Sequence, residues 1–240
     1  MHLALVTVLL LAITAFIPGI IGSWRNKLEK EFLRYSEVLI VFAHPDDETM
    51  FFLPLIGMAR KLRVKFRLLC LTNGGYDGLG SVRSKEFKNV AVHLTAESFN
   101  IVNDPRLKDG PESWDPIVVR SVVEKYLSRY PVIDAIFTFD DFGVSGHPNH
   151  ISVYKGVSSL QTSIPRYYLN SVNLLIKYFP PLAFLMTLFT PSQNPLIAVN
   201  HEDPFLSSST MKLYESQNVW FRRLFSLFSQ YSYINTFSRN

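Results

Sequence analysis

Val38-Leu-Ile-Val-Phe-Ala-His-Pro-Asp-Asp-Glu48 changes character halfway along. Its first six residues, to Ala43, form a short apolar, partly β-branched run, the pattern of a strand buried on both faces. The next five gather one imidazole and three carboxylates, with Pro45 stiffening the turn between them. In open α/β sheets ligands bind at the carboxyl ends of strands, so this junction is where chemistry is expected.

Working outward, the same grammar repeats. Phe66 to Thr72 reads as a second buried strand, closed by the turn-forming Asn73-Gly74-Gly75. Val132 to Phe139 reads as a third, entered through Pro131. Helical patterns lie between them: Thr49 to Leu62, made irregular by Pro54 and Gly57; Arg83 to Glu97; and Pro116 to Arg129, with Asp115 as its N-cap. A short charged helical stretch, Lys27 to Tyr35, precedes the first strand, and Leu196 to Asn200 suits one more strand. Strands alternating with helices predict an α/β, Rossmann-like, mostly parallel sheet flanked by helices.

A second chemical cluster, Gly143-Val-Ser-Gly-His147-Pro-Asn-His150, follows the third strand and Asp140-Asp141. An HxxH pair alone is weak, and an acidic turn after a strand is often only a solvated loop or a helix cap. Two such clusters after strands of one sheet are a stronger signal. Together they supply two histidines and an aspartate for a metal, with a further histidine and aspartate left over. Three protein donors and one open position describe catalytic zinc, whereas structural zinc is usually closed by four.

The chain of 240 residues suits one catalytic domain, and 48% hydrophobic against 18% charged residues is rich enough in apolar side chains for some to meet lipid. The net charge of +4 fits anionic headgroups, and the sequence carries no recognisable nucleic-acid module. Its one cysteine, Cys70, excludes an intramolecular disulfide and lies in an apolar run that suits a buried thiol. There is no Asn-x-Ser/Thr acceptor, which fits a cytosol-facing domain.

From Leu3 to Ile21, 19 residues carry no charge, about the length that crosses a hydrocarbon core of roughly 30 Å. No lysine or arginine precedes this run, which favours a retained anchor over a cleaved signal peptide. Residues 1–24 are therefore expected to be an N-terminal transmembrane anchor and residues 25–240 the catalytic domain. Arg25, Lys27, Lys30 and Arg34 follow the run, so the positive-inside rule puts that domain in the cytosol. Near the other end, Val172 to Thr190 is apolar but interrupted by Lys177 and Pro180-Pro181, which suits membrane contact or core better than a second span. Trp220 to Phe228 combines bulky apolar residues with two arginines, as an interfacial helix does, although a core helix would fit the pattern equally well.

The motifs themselves resemble a known family. Ala43 to Glu48 (AHPDDE) and Gly146 to His150 (GHPNH) are similar to the signatures of the LmbE-like, or PIG-L, zinc de-N-acetylases. Thr138 to Ser152 (TFDDFGVSGHPNHIS), with Leu71 to Tyr76 and Gly80 to Glu86, resembles the eukaryotic branch, which acts on N-acetylglucosaminyl-phosphatidylinositol. The resemblance spans about Val38 to Asn173 and implies His44, Asp47 and His150 as ligands of Zn2+, although the same donors suit iron or another divalent ion. It further implies Asp46 as general base, His147, protonated, as the group facing the oxyanion, and Arg83 in substrate binding or in ordering the site. Glu48 and Glu86 are then expected to orient the site rather than hold the metal. A glycolipid substrate, a role in GPI-anchor biosynthesis and residence in the endoplasmic reticulum membrane follow from the same resemblance. Two other readings stand beside it: a de-N-acetylase of another N-acetylglucosamine conjugate, and a catalytically silent membrane-bound scaffold.

Overall fold

The computed structural model describes residues 30–178, 196–199 and 205–239. The expected anchor, residues 1–24, and most of 172–190 lie outside the described residues. Among the described residues no helix is long and apolar enough to cross a membrane.

Seven strands form one sheet: β1 (Glu37–Phe42), β2 (Lys65–Cys70), β3 (Ser98–Ile101), β4 (Ala135–Phe139), β5 (Arg166–Leu169), β6 (Leu196–Val199) and β7 (Ile234–Arg239). Their order is β3-β2-β1-β4-β5-β7-β6. The first five strands run parallel, and β7 pairs antiparallel with both β5 and β6. The α/β, mostly parallel fold matches the sequence reading.

The chain leaves β1 in one direction to build β2 and β3, then returns to place β4 and β5 on the other side. The reversal opens a crevice between the carboxyl ends of β1 and β4, which pair in register from Val38 with Ala135 to Ile40 with Phe137. Each chemical cluster follows one of these two strands. Topology therefore brings together two segments about a hundred residues apart in sequence.

Given the strand order, the right-handed rule for parallel crossovers assigns α2 (Leu53–Leu62) and α3 (Gly80–His93) to one face of the sheet and α4 (Pro116–Arg129) and α6 (Pro148–Ser158) to the other. With both faces covered, Val38 to Phe42 are wholly buried, which explains why β1 reads as a continuous apolar run. Truncating Ile40 to alanine would cost about 2–5 kcal/mol in such a core. On the second face α4 and α6 pack closely at Gly156, where an added Cβ would lie 2.3 Å from a Val119 methyl carbon.

The helix read over Arg83 to Glu97 runs from Gly80 to His93, and two further boundaries differ from the sequence reading for local reasons. The pattern from Thr49 to Leu62 is two helices, α1 (Asp47–Phe51) and α2, separated by Phe52 at φ −119°. Pro54 then sits in the first turn of α2, where a missing N–H costs nothing. The third strand starts at Ala135 rather than Val132, because the Asp134 carboxylate instead accepts hydrogen bonds from the Ser36 and Glu37 amides. Asp115 caps α4 as expected, accepting from the Ile117 amide at 2.8 Å. Cys70 is buried and unpaired at the end of β2, and burial pushes its thiol well up, as suits a structural side chain.

Candidate active site

The segment after β1 turns back sharply. Asp46 adopts φ +103°, an uncommon conformation for a residue with a side chain, and its amide donates to Glu48 Oε2 at 3.2 Å. Glu48 is fully buried and also accepts from Thr49 Oγ1 (2.7 Å) and Tyr214 OH (2.8 Å). It thus holds the backbone of Asp46 and points away from the metal donors. Burial pushes its carboxyl up to about 7.

The second segment is shaped by Asp140. Its carboxylate accepts from the Gly143 amide (3.0 Å), the Ser171 amide (2.5 Å) and Ser171 Oγ (2.6 Å). This bends the short turn α5 (Gly143–Gly146), in which Val144 lies at φ +56°. Gly143 must be glycine, since an added Cβ would stand 2.7 Å from the Cβ of His150. His147 then caps α6, its Nδ1 accepting from the Asn149 amide.

These two turns bring His44, Asp47 and His150 into one buried group, with one donor atom of each lying within 4.8 Å of the others. His44 Nδ1 stands 3.5 Å from Asp47 Oδ2 and 3.3 Å from His150 Nε2, which is 3.3 Å from Asp47 Oδ1. The far side of each ring is also engaged. His150 Nδ1 lies 3.1 Å from the Gly143 carbonyl, an acceptor only, so its N–H points there and leaves the Nε2 lone pair facing inward. His44 Nε2 meets Asn149 Oδ1 at 3.0 Å and Asp109 Oδ1 at 3.2 Å, which fixes its inward Nδ1 lone pair in the same way. Asp47 Oδ2 accepts from the Ala43 and His44 amides. Two inward imidazole nitrogens and a carboxylate, each held from behind, fit a divalent metal.

The electrostatics agree. Burial alone would neutralise Asp47, but His150 and His44 hold its carboxyl well below the usual range. Burial lowers His44 too, yet its hydrogen bonds to Asp109 and Asp47 outweigh this and raise it to about 10. The space between these donors thus attracts positive charge, and without a metal ion His44 holds a proton there.

Asp46 faces the same cleft, which encloses about 520 Å³ and is also lined by Arg83, His147, Gln217, Phe221 and Arg222. Its Oδ1 accepts from Arg83 at 3.2 Å, whereas the buried Oδ2 accepts no hydrogen bond and stands 3.3 Å from Arg222 Nε in an ion pair. Burial raises this carboxyl, and Arg83 and Arg222 partly offset the rise. Arg83 donates as well to the carbonyls of Pro45 (2.5 Å) and Gly74 (3.2 Å) and lies 3.6 Å from Asp109 Oδ2, so it ties three loops together beside the cleft. Glu86 does not line the cleft: it accepts from the Ser216 amide (2.7 Å) and hydroxyl (2.5 Å), anchoring the turn that carries Gln217.

His147 is drawn down to about 4 by burial and by its neighbours His150 and His44, which leaves it neutral at neutral pH. A metal dication in the cage would act in the same direction. This direction favours a neutral His147 ring over the protonated one expected from sequence. Because its Nδ1 accepts from the Asn149 amide at 3.2 Å, the proton resides on Nε2, and a neutral imidazole still donates.

This geometry coincides with a sequence match. Residues 39–160, from β1 through α6, fit the family model PIG-L, described as GlcNAc-PI de-N-acetylase. The chain belongs to the PIG-L family. A probable N-acetylglucosaminyl-phosphatidylinositol de-N-acetylase from Schizosaccharomyces pombe is 36% identical over 222 residues, covering 88% of this chain and 89% of that protein. The Bos taurus N-acetylglucosaminyl-phosphatidylinositol de-N-acetylase is 34% identical over 245 residues, covering 95% and 96%. In fold, this PIG-L member is similar to the N,N'-diacetylchitobiose deacetylase of Pyrococcus horikoshii, with a TM-score of 0.57, 18% identity and coverage of 91% and 92%. The chain is accordingly a de-N-acetylase, and the silent-scaffold alternative falls away.

Three residues of the site went unread in the sequence. Asn149 lies within the GHPNH motif but has no titratable group to draw attention. Asp109 comes from an irregular loop without local pattern. Arg222 belongs to a segment that reads as lipid-facing.

Proposed function

We propose that this enzyme hydrolyses the N-acetyl group of N-acetylglucosaminyl-phosphatidylinositol with the help of Zn2+, giving acetate and glucosaminyl-phosphatidylinositol, an early step in GPI-anchor biosynthesis. The observation that carries the chemistry is the convergence of His44, Asp47 and His150 beside the Asp46 carboxylate, whose Oδ2 accepts no hydrogen bond and is paired with the Arg222 guanidinium. The substrate is supported by the names of relatives that span nearly the whole chain.

Zinc held by His44, Asp47 and His150 would polarise the acetyl carbonyl and lower the pKa of a water to roughly 7. Asp46 accepts the proton of the attacking water at Oδ2, the oxygen that accepts no hydrogen bond but faces Arg222, and later delivers it to the departing glucosamine nitrogen. The Nε2–H of His147 donates to the carbonyl oxygen as negative charge develops on it. Arg83 restrains Asp46 from the other side, and the buried walls of Phe51 and Phe139 against His150 limit ring motion. One water and one amide thus become acetate and a free amine.

A place at the cytosolic face of the endoplasmic reticulum membrane is supported by the uncharged run Leu3 to Ile21 and the basic residues after it. The deciding experiment compares acetate release from the glycolipid and from soluble N-acetylglucosamine conjugates, with and without a chelator. Equal turnover of soluble conjugates would sink the lipid assignment, and indifference to chelation would sink the metal.

A further inference from the structure

The last helix, α9 (Trp220–Phe228), is built inside out. Its inward side carries Phe225 and Ser226, both buried, together with the half-buried Arg222, which reaches Asp46. Its outward side carries Trp220, Leu224, Leu227 and Phe228, at 72%, 45%, 39% and 53% exposure. These positions are spaced i, i+4, i+7 and i+8, so they form one continuous stripe on the helix. A helix in water normally turns such a stripe inward. Here the apolar stripe faces out, while the side towards the protein carries Arg222 and Ser226 beside a single buried phenylalanine.

Three observations identify what meets this stripe. Arg223 shares the outward side and the helix has no acidic residue, a charge pattern that suits anionic headgroups beside an apolar interior. Trp220 at the helix start combines an apolar ring with one N–H, as side chains at a headgroup boundary do. The same helix also lines the catalytic cleft, through Phe221 and Arg222, so whatever covers the stripe lies at the cleft mouth. A protein covering the stripe would crowd that mouth; a bilayer would present its own headgroups to it. The uncharged run Leu3 to Ile21, long enough to cross a bilayer as a helix, supports the same occupant.

We propose that α9 lies in the bilayer interface, its outward stripe among the acyl chains, so that the cleft receives its sugar directly from the lipid surface. The inference rests on the glycolipid reading of the site for its purpose, though not for its geometry. Arg222 then joins the interface to the base, since one turn of α9 carries both the lipid-facing side chains and the guanidinium beside Asp46.

The test uses the full chain in vesicles of phosphatidylcholine and phosphatidylserine. Leu224→Cys is labelled with the polarity-sensitive dye NBD, Cys70 being buried and out of reach. The expected result is blue-shifted emission that shallow doxyl-labelled lipids quench. Water-like emission from membrane-bound protein would overturn the proposal. So would blue-shifted emission that doxyl lipids leave untouched, which would mean that residues 179–195 or a second copy cover the stripe. In a second arm, the triple variant Trp220→Ser, Leu224→Ser, Phe228→Ser is assayed on the glycolipid in vesicles and on the same headgroup without acyl chains. KM for the vesicle-borne substrate is expected to rise about tenfold or more, with turnover of the soluble headgroup unchanged; equal losses on both would overturn the proposal. Failure of the wild-type enzyme on the vesicle-borne glycolipid would refute the functional reading while the quenching result still decides the docking.

Discussion

Arg222 Nε stands 3.3 Å from Oδ2 of Asp46, joining the last helix of the chain to the turn that follows its first strand. Arg83 holds the other oxygen of the same carboxylate at 3.2 Å. A buried carboxyl would otherwise remain protonated, because desolvation disfavours its charged form. The two guanidiniums oppose that tendency from opposite sides and keep a usable base in a dry site.

The sign of this balance predicts a pH effect. With Asp46 as the proposed base, hydrolysis needs its ionised form, and activity is expected to fall as pH drops through the Asp46 pKa. Arg222→Gln removes one of the lowering influences, and the acid limb of the kcat/KM profile is expected to move to higher pH. Near neutrality this costs about tenfold or more in rate, within the range general-base catalysis supplies. Arg222→Lys keeps the charge and should recover part of the loss. An acid limb at its wild-type position in Arg222→Gln would remove Arg222 from the electrostatics of the base.

Metal affinity should depend on a residue that touches no metal. Asn149 accepts the His44 N–H and donates at 2.7 Å to the Glu112 carbonyl, which fixes its own orientation. Asn149→Leu leaves the donor set intact but frees the His44 ring. Outer partners of this kind are worth about 10–100-fold in metal affinity. Competition for zinc with a chromogenic chelator checks it: unchanged affinity would show that Asp109 alone orients His44.

Much of this was legible in the sequence, for reasons the residues make plain. β1 is buried on both faces, so it is apolar throughout and easily read; the clusters after β1 and β4 carry their chemistry in contiguous residues. β3, β5 and β7 were not read. Ser98-Phe-Asn-Ile is a half-buried edge, and Ile234-Asn-Thr-Phe-Ser-Arg owes its place to pairing with distant β5 and β6. Asn235 within it bonds to the Phe51 carbonyl and the Leu55 amide, a contact between the two ends of the chain that no local pattern encodes. Asp109 and Arg222 escaped notice on the same ground: each acts on a residue it meets only through the fold.

Glu48 makes a stability prediction in the metal-free protein. Its carboxyl rises from an ordinary 4.5 to about 7 because burial disfavours the charge. Between those values the folded protein holds a proton that the unfolded chain releases, so folding stability falls as pH rises from about 4.5 to 7 and then levels off. The contribution lost is on the order of 3 kcal/mol. Glu48→Gln cannot titrate, so its denaturation midpoint in chelator should vary less over that window than the wild type's. Parallel pH dependences would show that Glu48 stays ionised throughout.

Gly74 tests whether Arg83 orders the catalytic turn. The glycine sits at φ +70°, and a Cβ there would lie 2.6 Å from the Arg83 guanidinium carbon. Gly74→Ala is strained twice over: by backbone, at about 1–3 kcal/mol for a side chain held in a sparsely populated region, and by collision with a buried cation. The guanidinium is the more mobile of the two and should give way, loosening its bonds to the Pro45 carbonyl and to Asp46 Oδ1. Because the metal donors do not touch Gly74, zinc content should stay near that of the wild type while kcat falls at least tenfold, a displacement of an ångström being costly in an organised site. Arg83→Lys should show the same separation, since an ammonium cannot bridge Pro45, Gly74 and Asp46 at once. Loss of zinc in step with activity in both variants would mean that Arg83 supports the whole metal cage instead of the base alone.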